Sequence, residues 1–210
     1  MNTDMTLQNY IESLSSDSPT PGGGNVAAFC GTLASSLGVM VCNLTIGKKK
    51  YADVQEKISL LKESLLEKQK MFISLATADN AAFDKVMAAM KLPKETDEQK
   101  AIRAKAIEQA TMEAIEVPDT VISECTATAP LLIEVAKTGN KNSVSDAGVG
   151  LTLLRAGAEG AYLNVIINCA SLSDRAIAEE ILKRADAKLN SVRLTADDSF
   201  KMICNLIFHN

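Results

Sequence analysis

In the segment LATADNAAFDKV, residues 75–86, an acid stands where a helix should be apolar. Ile58, Leu65 and Phe72 recur every seven residues and Val86 continues the series, but the intervening member is Asp79. Apolar residues at this period mark the stripe that a helix turns toward its neighbours. A carboxylate in that stripe loses hydration, and its pKa rises from a reference of about 3.9 unless a cation or hydrogen-bond donors compensate. Fold stability gains nothing obvious from such a residue, so Asp79 is read as a functional carboxylate. The structural alternative is a helix break at residues 76–79, with Asp79 capping a new helix. Asp84 falls on another face and reads as solvated.

Other residues suited to chemistry are scattered along the chain. Gly22, Gly23 and Gly24 stand between Pro21 and a helix. Their amides, with the helix N-terminus, can hold an anion or the polar edge of a heterocycle, or the run can be a tight turn that lets helices pack. It is not a Walker loop, and Gly148-x-Gly150 lacks the third glycine and the preceding strand of a dinucleotide fingerprint. Lys48, Lys49 and Lys50 follow an uncharged segment. They read as a solvated helix end favoured by the macrodipole, or as a receptor for a polycarboxylate tail. Asn164 and Asn168 lie one turn apart, and Asn43 interrupts a buried helix. Amides on apolar faces need partners, because an unmade buried hydrogen bond costs about 1–3 kcal/mol, so they link helices or contact a ligand. Ser145-Asp146 is an N-cap pattern or a binding pair.

The elements that must position these residues all read as helices. The chain has 210 residues, 47% hydrophobic, with no Trp, so its core is built from Ala, Leu, Ile, Val and Met. Ala, Leu and Met lose little side-chain freedom in helices. Leu7, Tyr10, Ile11 and Leu14 form a short opener. Residues 26–46 form an uncharged helix, and residues 51–90 one long helix or two consecutive ones. Thr96 with Gln99 is a capping box for a helix to residue 117. Pro118 and Pro130 then act as helix starts or kinks. A second Gly-rich buried helix follows the KTGNKNSVSD loop. Residues 174 to about 192 and about 196 to 208 close the chain as two amphipathic helices. The expected fold is an all-α, single-domain helical bundle over residues 1–210, with two buried Gly/Ala-rich central helices.

Residues 26–46 are long enough to span a bilayer, but Thr32, Ser35, Ser36 and Asn43 argue for the centre of a soluble bundle. The net charge of −4 argues against a nucleic-acid surface. Five scattered cysteines without an export signal point to a reducing cytoplasm. No metal site is expected, because ligand spacing is absent and the single histidine is His209.

Taken together, several of these pieces resemble the cyclodeaminase/cyclohydrolase family of folate one-carbon enzymes. The matching segments are PTPGGGNVAA (19–28), NLTIGKKKY (43–51), DNAAF (79–83) and Leu92-Pro93. They continue with EVP (116–118), Gly139-Asn140, Ser145-Asp146 and GAYLNVIIN (160–168), in order over nearly the whole chain. The resemblance implies an all-helical homodimer that binds folate in a cleft near or across the subunit interface. It places the family's catalytic aspartate on Asp79, as general acid/base, with no cofactor besides the folate substrate. It also implies that Gly22, Gly23, Gly24, Ser145 and Asp146 border the pterin. Asn164 and Asn168 would support or contact the ring, and Lys48, Lys49 and Lys50 would attract a glutamate or polyglutamate tail. The expected activity is 5,10-methenyltetrahydrofolate cyclohydrolase. The alternatives are formiminotetrahydrofolate cyclodeaminase and a non-catalytic helical module that binds a folate or a protein partner.

Overall fold

A computed structural model describes residues 5–209 and contains, among these, helices and turns but no strand. Six α-helices follow one another: α1 (Leu7–Leu14), α2 (Gly23–Thr45), α3 (Gln55–Met90), α4 (Asp97–Thr138), α5 (Val144–Cys169) and α6 (Arg175–Phe208). α2 packs against α3, α4 and α5; α4 lies against α3, α5 and α6; α5 also packs on α6. α2 is long and apolar enough to cross a membrane, and here it occupies the middle of the bundle.

Glycines set how closely α2 meets its neighbours. A Cβ added to Gly31 would lie 2.6 Å from Cγ of Phe72, and one on Gly38 would lie 2.8 Å from Cδ1 of Leu65. One on Gly24 would lie 2.7 Å from Cγ of Asp79. Gly24, Gly31 and Gly38 thus oppose Asp79, Phe72 and Leu65 in antiparallel order, each seam stepping by seven residues. The α2–α5 seam repeats the device. Gly150 faces the Ala34 carbonyl, 3.2 Å from an added Cβ, and Gly157 faces that of Ala27 at 2.7 Å. Seven residues beyond Gly157 stands Asn164. Two close-packed seams therefore end in a polar residue at the N-terminal end of α2.

Several boundaries differ from the sequence expectation. α2 begins at Gly23 rather than residue 26, so two glycines of the triple run lie inside its first turn. α3 is one unbroken helix through Asp79, which removes the capping alternative for that residue. Residues Lys49–Val54 form a separate 3-10 turn before it. The capping box holds: Thr96 Oγ1 accepts the Gln99 N–H at 3.2 Å, and Gln99 Oε1 accepts the Thr96 N–H at 3.3 Å. α4 then runs through both Pro118 and Pro130 instead of restarting, because its packing on four helices outweighs the missing bonds. α5 begins at Val144, so Ser145-Asp146 is not its N-cap but part of its first turn. α6 is one helix, not two. No Gly or Pro interrupts it, and ion pairs from Arg193 to Glu159 and from Arg155 to Asp197 pin the expected break against α5. Asn43 is exposed rather than buried.

Replacing Gly31 by Ala is expected to destabilise the protein by about 1–3 kcal/mol through overpacking, despite the better helix propensity of Ala. Phe72 is fully buried and has nowhere to move. Urea denaturation measures the loss, and adding Phe72→Leu should recover part of it.

Candidate functional site

At the end where the two seams run out, the chain leaves a cleft of about 350 Å³. Its walls come from the loop before α2 (Pro19, Thr20), the triple glycine, α3 from Asp79 to Met90, Ala114 of α4, and α5 at Asn164, Ile167 and Asn168. Asp79 is the single charged side chain among the described residues of the lining. The rest is apolar (Ala82, Phe83, Val86, Met87, Met90) or offers amides and hydroxyls.

The environment of Asp79 contains two opposed influences. Burial pushes its carboxyl above the ordinary aspartate value, and the backbone N–H of Asn25, donating to it, pulls the other way. That N–H belongs to the first turn of α2, where amides have no intrahelical acceptor and the helix dipole favours a nearby anion. Gly24 makes the approach possible, since any side chain there would occupy the space of the carboxylate.

Asn25, which sequence reasoning missed, holds this geometry. Its side chain is fully buried. Its Nδ2 donates to the Ala76 carbonyl at 2.7 Å and to Asn80 Oδ1 at 3.2 Å, on α3 residues that bracket Asp79. Its Oδ1 accepts from the Tyr10 hydroxyl at 2.9 Å. Tyr10 is the buried residue of α1, and its ring lies 5.4 Å from that of Phe29, so α1 is tied to the bundle beside the site. The available signal was a lone amide directly after the triple glycine at the start of an uncharged helix.

The two amides of α5, Asn164 and Asn168, both line the cleft. Asn164 Nδ2 donates to the Gly160 carbonyl of its own helix at 2.9 Å. Asn168 Nδ2 donates across to the Ala114 carbonyl of α4, also at 2.9 Å. With one N–H of each nitrogen bonded to a carbonyl, both leave their oxygen as an acceptor. The cleft thus combines one carboxylate, two amide oxygens and an apolar wall, with no cation. Such a lining suits a flat, positively charged head group carrying N–H donors.

The remaining candidates lie elsewhere. Lys48, Lys49 and Lys50 follow the C-terminus of α2. That helix rises about 33 Å over its 23 residues, so the lysines stand at the opposite end of the bundle from Asp79. Ser145 lines a different groove, between α5 and the end of α6, with Val149, Leu153 and Phe200. Asp146 sits in the first turn of α5, at the lysine end. None of these five borders the cleft of its own chain.

Comparison with known proteins adds a family. A model described as formiminotransferase-cyclodeaminase matches residues 6–187. The chain is 42% identical over 184 residues to a methenyltetrahydrofolate cyclohydrolase of Methylorubrum extorquens, covering 88% of each chain. It is 31% identical over 193 residues to the formimidoyltransferase-cyclodeaminase of Mus musculus, covering 92% of this chain and 36% of that one. The solved structure of a formiminotetrahydrofolate cyclodeaminase from Thermotoga maritima matches 95% of this chain and 98% of its own, with a TM-score of 0.78 at 30% identity.

The buried acid has a consequence for stability. A carboxyl that holds its proton more tightly when folded costs stability as pH rises from its ordinary value of 3.8 through its raised folded value. Asp79→Asn is therefore expected to be more stable than the wild type near neutral pH. The difference should narrow as pH falls through the raised value and vanish below the ordinary one. Urea melts of both proteins across this range test it.

Proposed function

This chain belongs to the formiminotransferase-cyclodeaminase family, and on that premise we propose that it is a 5,10-methenyltetrahydrofolate cyclohydrolase. The observation that carries the reading is Asp79 as the sole charge of an otherwise neutral cleft. The cyclohydrolase relative, similar over nearly its full length, favours this activity over ammonia release.

The substrate is a cation whose charge is spread over N5, the bridging carbon and N10. Asp79 stabilises that cation and accepts a proton from water as its oxygen bonds to the bridging carbon. The resulting tetrahedral carbon carries one oxygen and two nitrogens. Proton return from Asp79 to N5, cleavage of the carbon–N5 bond and loss of the hydroxyl proton give 10-formyltetrahydrofolate and one net proton. A carboxyl pushed above its usual range is the better proton carrier near neutral pH, and such catalysis is worth typically about 10²–10⁴-fold. The amide oxygens of Asn164 and Asn168 accept N–H donors of the pterin, and Phe83, Val86 and Met87 cover its face. Formiminotetrahydrofolate cyclodeaminase is the second reading, supported by the likeness to the Thermotoga maritima protein. The same acid would then protonate departing ammonia.

We take the working unit to be a homodimer. α2 and α5 leave apolar side chains in solvent, among them Leu33, Met40, Leu163 and Ile167, the last two 66% exposed. Ile167 also lines the cleft, so a second copy seated on this face would border the site. A glutamate tail leaving the cleft would then meet Lys48, Lys49 and Lys50 of another copy rather than its own. Sedimentation is expected to report a dimer that Leu163→Glu dissociates.

Absorbance decay of 5,10-methenyltetrahydrofolate should be fast with the wild type, and slower by about 10²–10⁴-fold with Asp79→Asn. Gly24→Ala, which displaces the carboxylate, should also lose most activity. Absence of decay with the wild type, together with ammonia release from formiminotetrahydrofolate, would transfer the assignment to the second reading.

A further inference from the structure

Pro118 lies in the interior of α4 and is buried. Proline has no N–H, so the carbonyl four residues earlier, that of Ala114, loses its helical donor. Ala114 is itself 9% exposed, and a carbonyl left unpaired at such depth costs about 1–3 kcal/mol. The missing donor comes from another helix, as Asn168 Nδ2, at 2.9 Å. Both Ala114 and Asn168 form part of the cleft wall.

This pairing decides the orientation of a functional amide. A carboxamide can turn over and exchange its oxygen for its nitrogen. A carbonyl accepts hydrogen bonds only, so the Ala114 oxygen selects the nitrogen of Asn168 and leaves Oδ1 for the ligand. Asn164 lacks this constraint. Its bond goes to Gly160 of its own helix, a carbonyl whose helical donor is the Asn164 backbone N–H, so turning that amide over orphans nothing.

We propose that Pro118 is a positioning residue for ligand recognition. By freeing the Ala114 carbonyl, it holds the Asn168 amide with Oδ1 presented to the cleft, which selects head groups that offer an N–H donor there. The identity of that ligand rests on the folate reading above; the orientation of the amide does not. An N–H restored at position 118 returns the Ala114 carbonyl to the helical ladder as a shared acceptor, so it no longer depends on Asn168 and holds that amide less strongly.

Two substitutions restore the N–H: Pro118→Ala, and Pro118→Val, which also keeps most of the ring volume. Both are to be made in the full chain and again in the Asn168→Ala background. In each single variant, KM for 5,10-methenyltetrahydrofolate is expected to rise several-fold with a smaller change in kcat. Melting should be unchanged or higher, because an interior helix bond is gained. In the Asn168→Ala background the same substitutions should leave KM where it is. Unchanged KM in both single variants, or an equal rise with and without Asn168, overturns the proposal. A fall in stability accompanied by equal losses in kcat and kcat/KM assigns Pro118 a purely structural role and also overturns it. A readout without folate separates this proposal from the assigned activity. The Asn168 side-chain amide protons, followed by NMR hydrogen exchange, should be protected in the wild type and exchange faster in both Pro118 variants. Equal exchange overturns the orientation argument even where turnover is observed. Faster exchange in a protein that turns over no folate leaves the proposal standing and removes the cyclohydrolase reading instead.

Discussion

The molecule depends on the closeness with which α3 lies against α2. At Gly24, Gly31 and Gly38 the helix surface of α2 has no side chain, and three residues of α3 fill the space. Two are apolar and buried, and their contacts contribute the packing energy that makes the approach favourable. The third is Asp79. The same notch that admits Phe72 one layer deeper admits a carboxylate at the rim, so the position of the acid follows from the packing of the core. The α2–α5 seam works alike, with Gly150 and Gly157 leading to Asn164. The site forms where two close-packed seams end at the N-terminus of one helix.

That location sets the electrostatics. Interior packing removes water from Asp79 and raises its pKa, while the first turn of α2 offers an N–H and a favourable dipole that limit the rise. An acid held between these influences can take and return a proton. Asn25 keeps the balance in place by joining α2 to the α3 residues on either side of Asp79, and Tyr10 joins α1 to Asn25. Among the described residues of the lining no lysine or arginine pairs with the acid. The cleft is thereby suited to cations.

Helix length imposes the second constraint. α2 and α3 each cross the bundle from end to end, so residues close in sequence to their far ends are far from the cleft. Lys48 to Lys50 are separated from Asp79 by the full rise of α2, and Ser145 and Asp146 share their end. Proline inside α4 is the complementary case. A helix that must continue for packing reasons gives up one bond, and a neighbouring amide takes the released carbonyl.

Much of this was legible in the residues themselves. Seven-residue spacing marked the α3 stripe and singled out Asp79 as its exception, because a helix turns a constant face at that period. The Thr96–Gln99 box set the start of α4, because capping is a local bond between neighbours. What spacing leaves open is which helix opposes a face, in what register and at which end of the bundle. For that reason the triple glycine read as a tight turn for helix packing or an anion cradle, without showing that Gly24 is the notch for Asp79. For the same reason Asn25 passed unnoticed, since its two partners on α3 lie more than fifty residues away and its third, Tyr10, stands on a separate helix. The break expected in α6, and the restart that was one of two alternatives at Pro118 and Pro130, rested on local propensity, which cross-helix packing overrode. The sequence by itself determined the helices, their apolar faces and the single acid that violates one of them. Only the tertiary structure decided what surrounds that acid, because its neighbours are brought together by helix pairing across the chain and not by proximity along it.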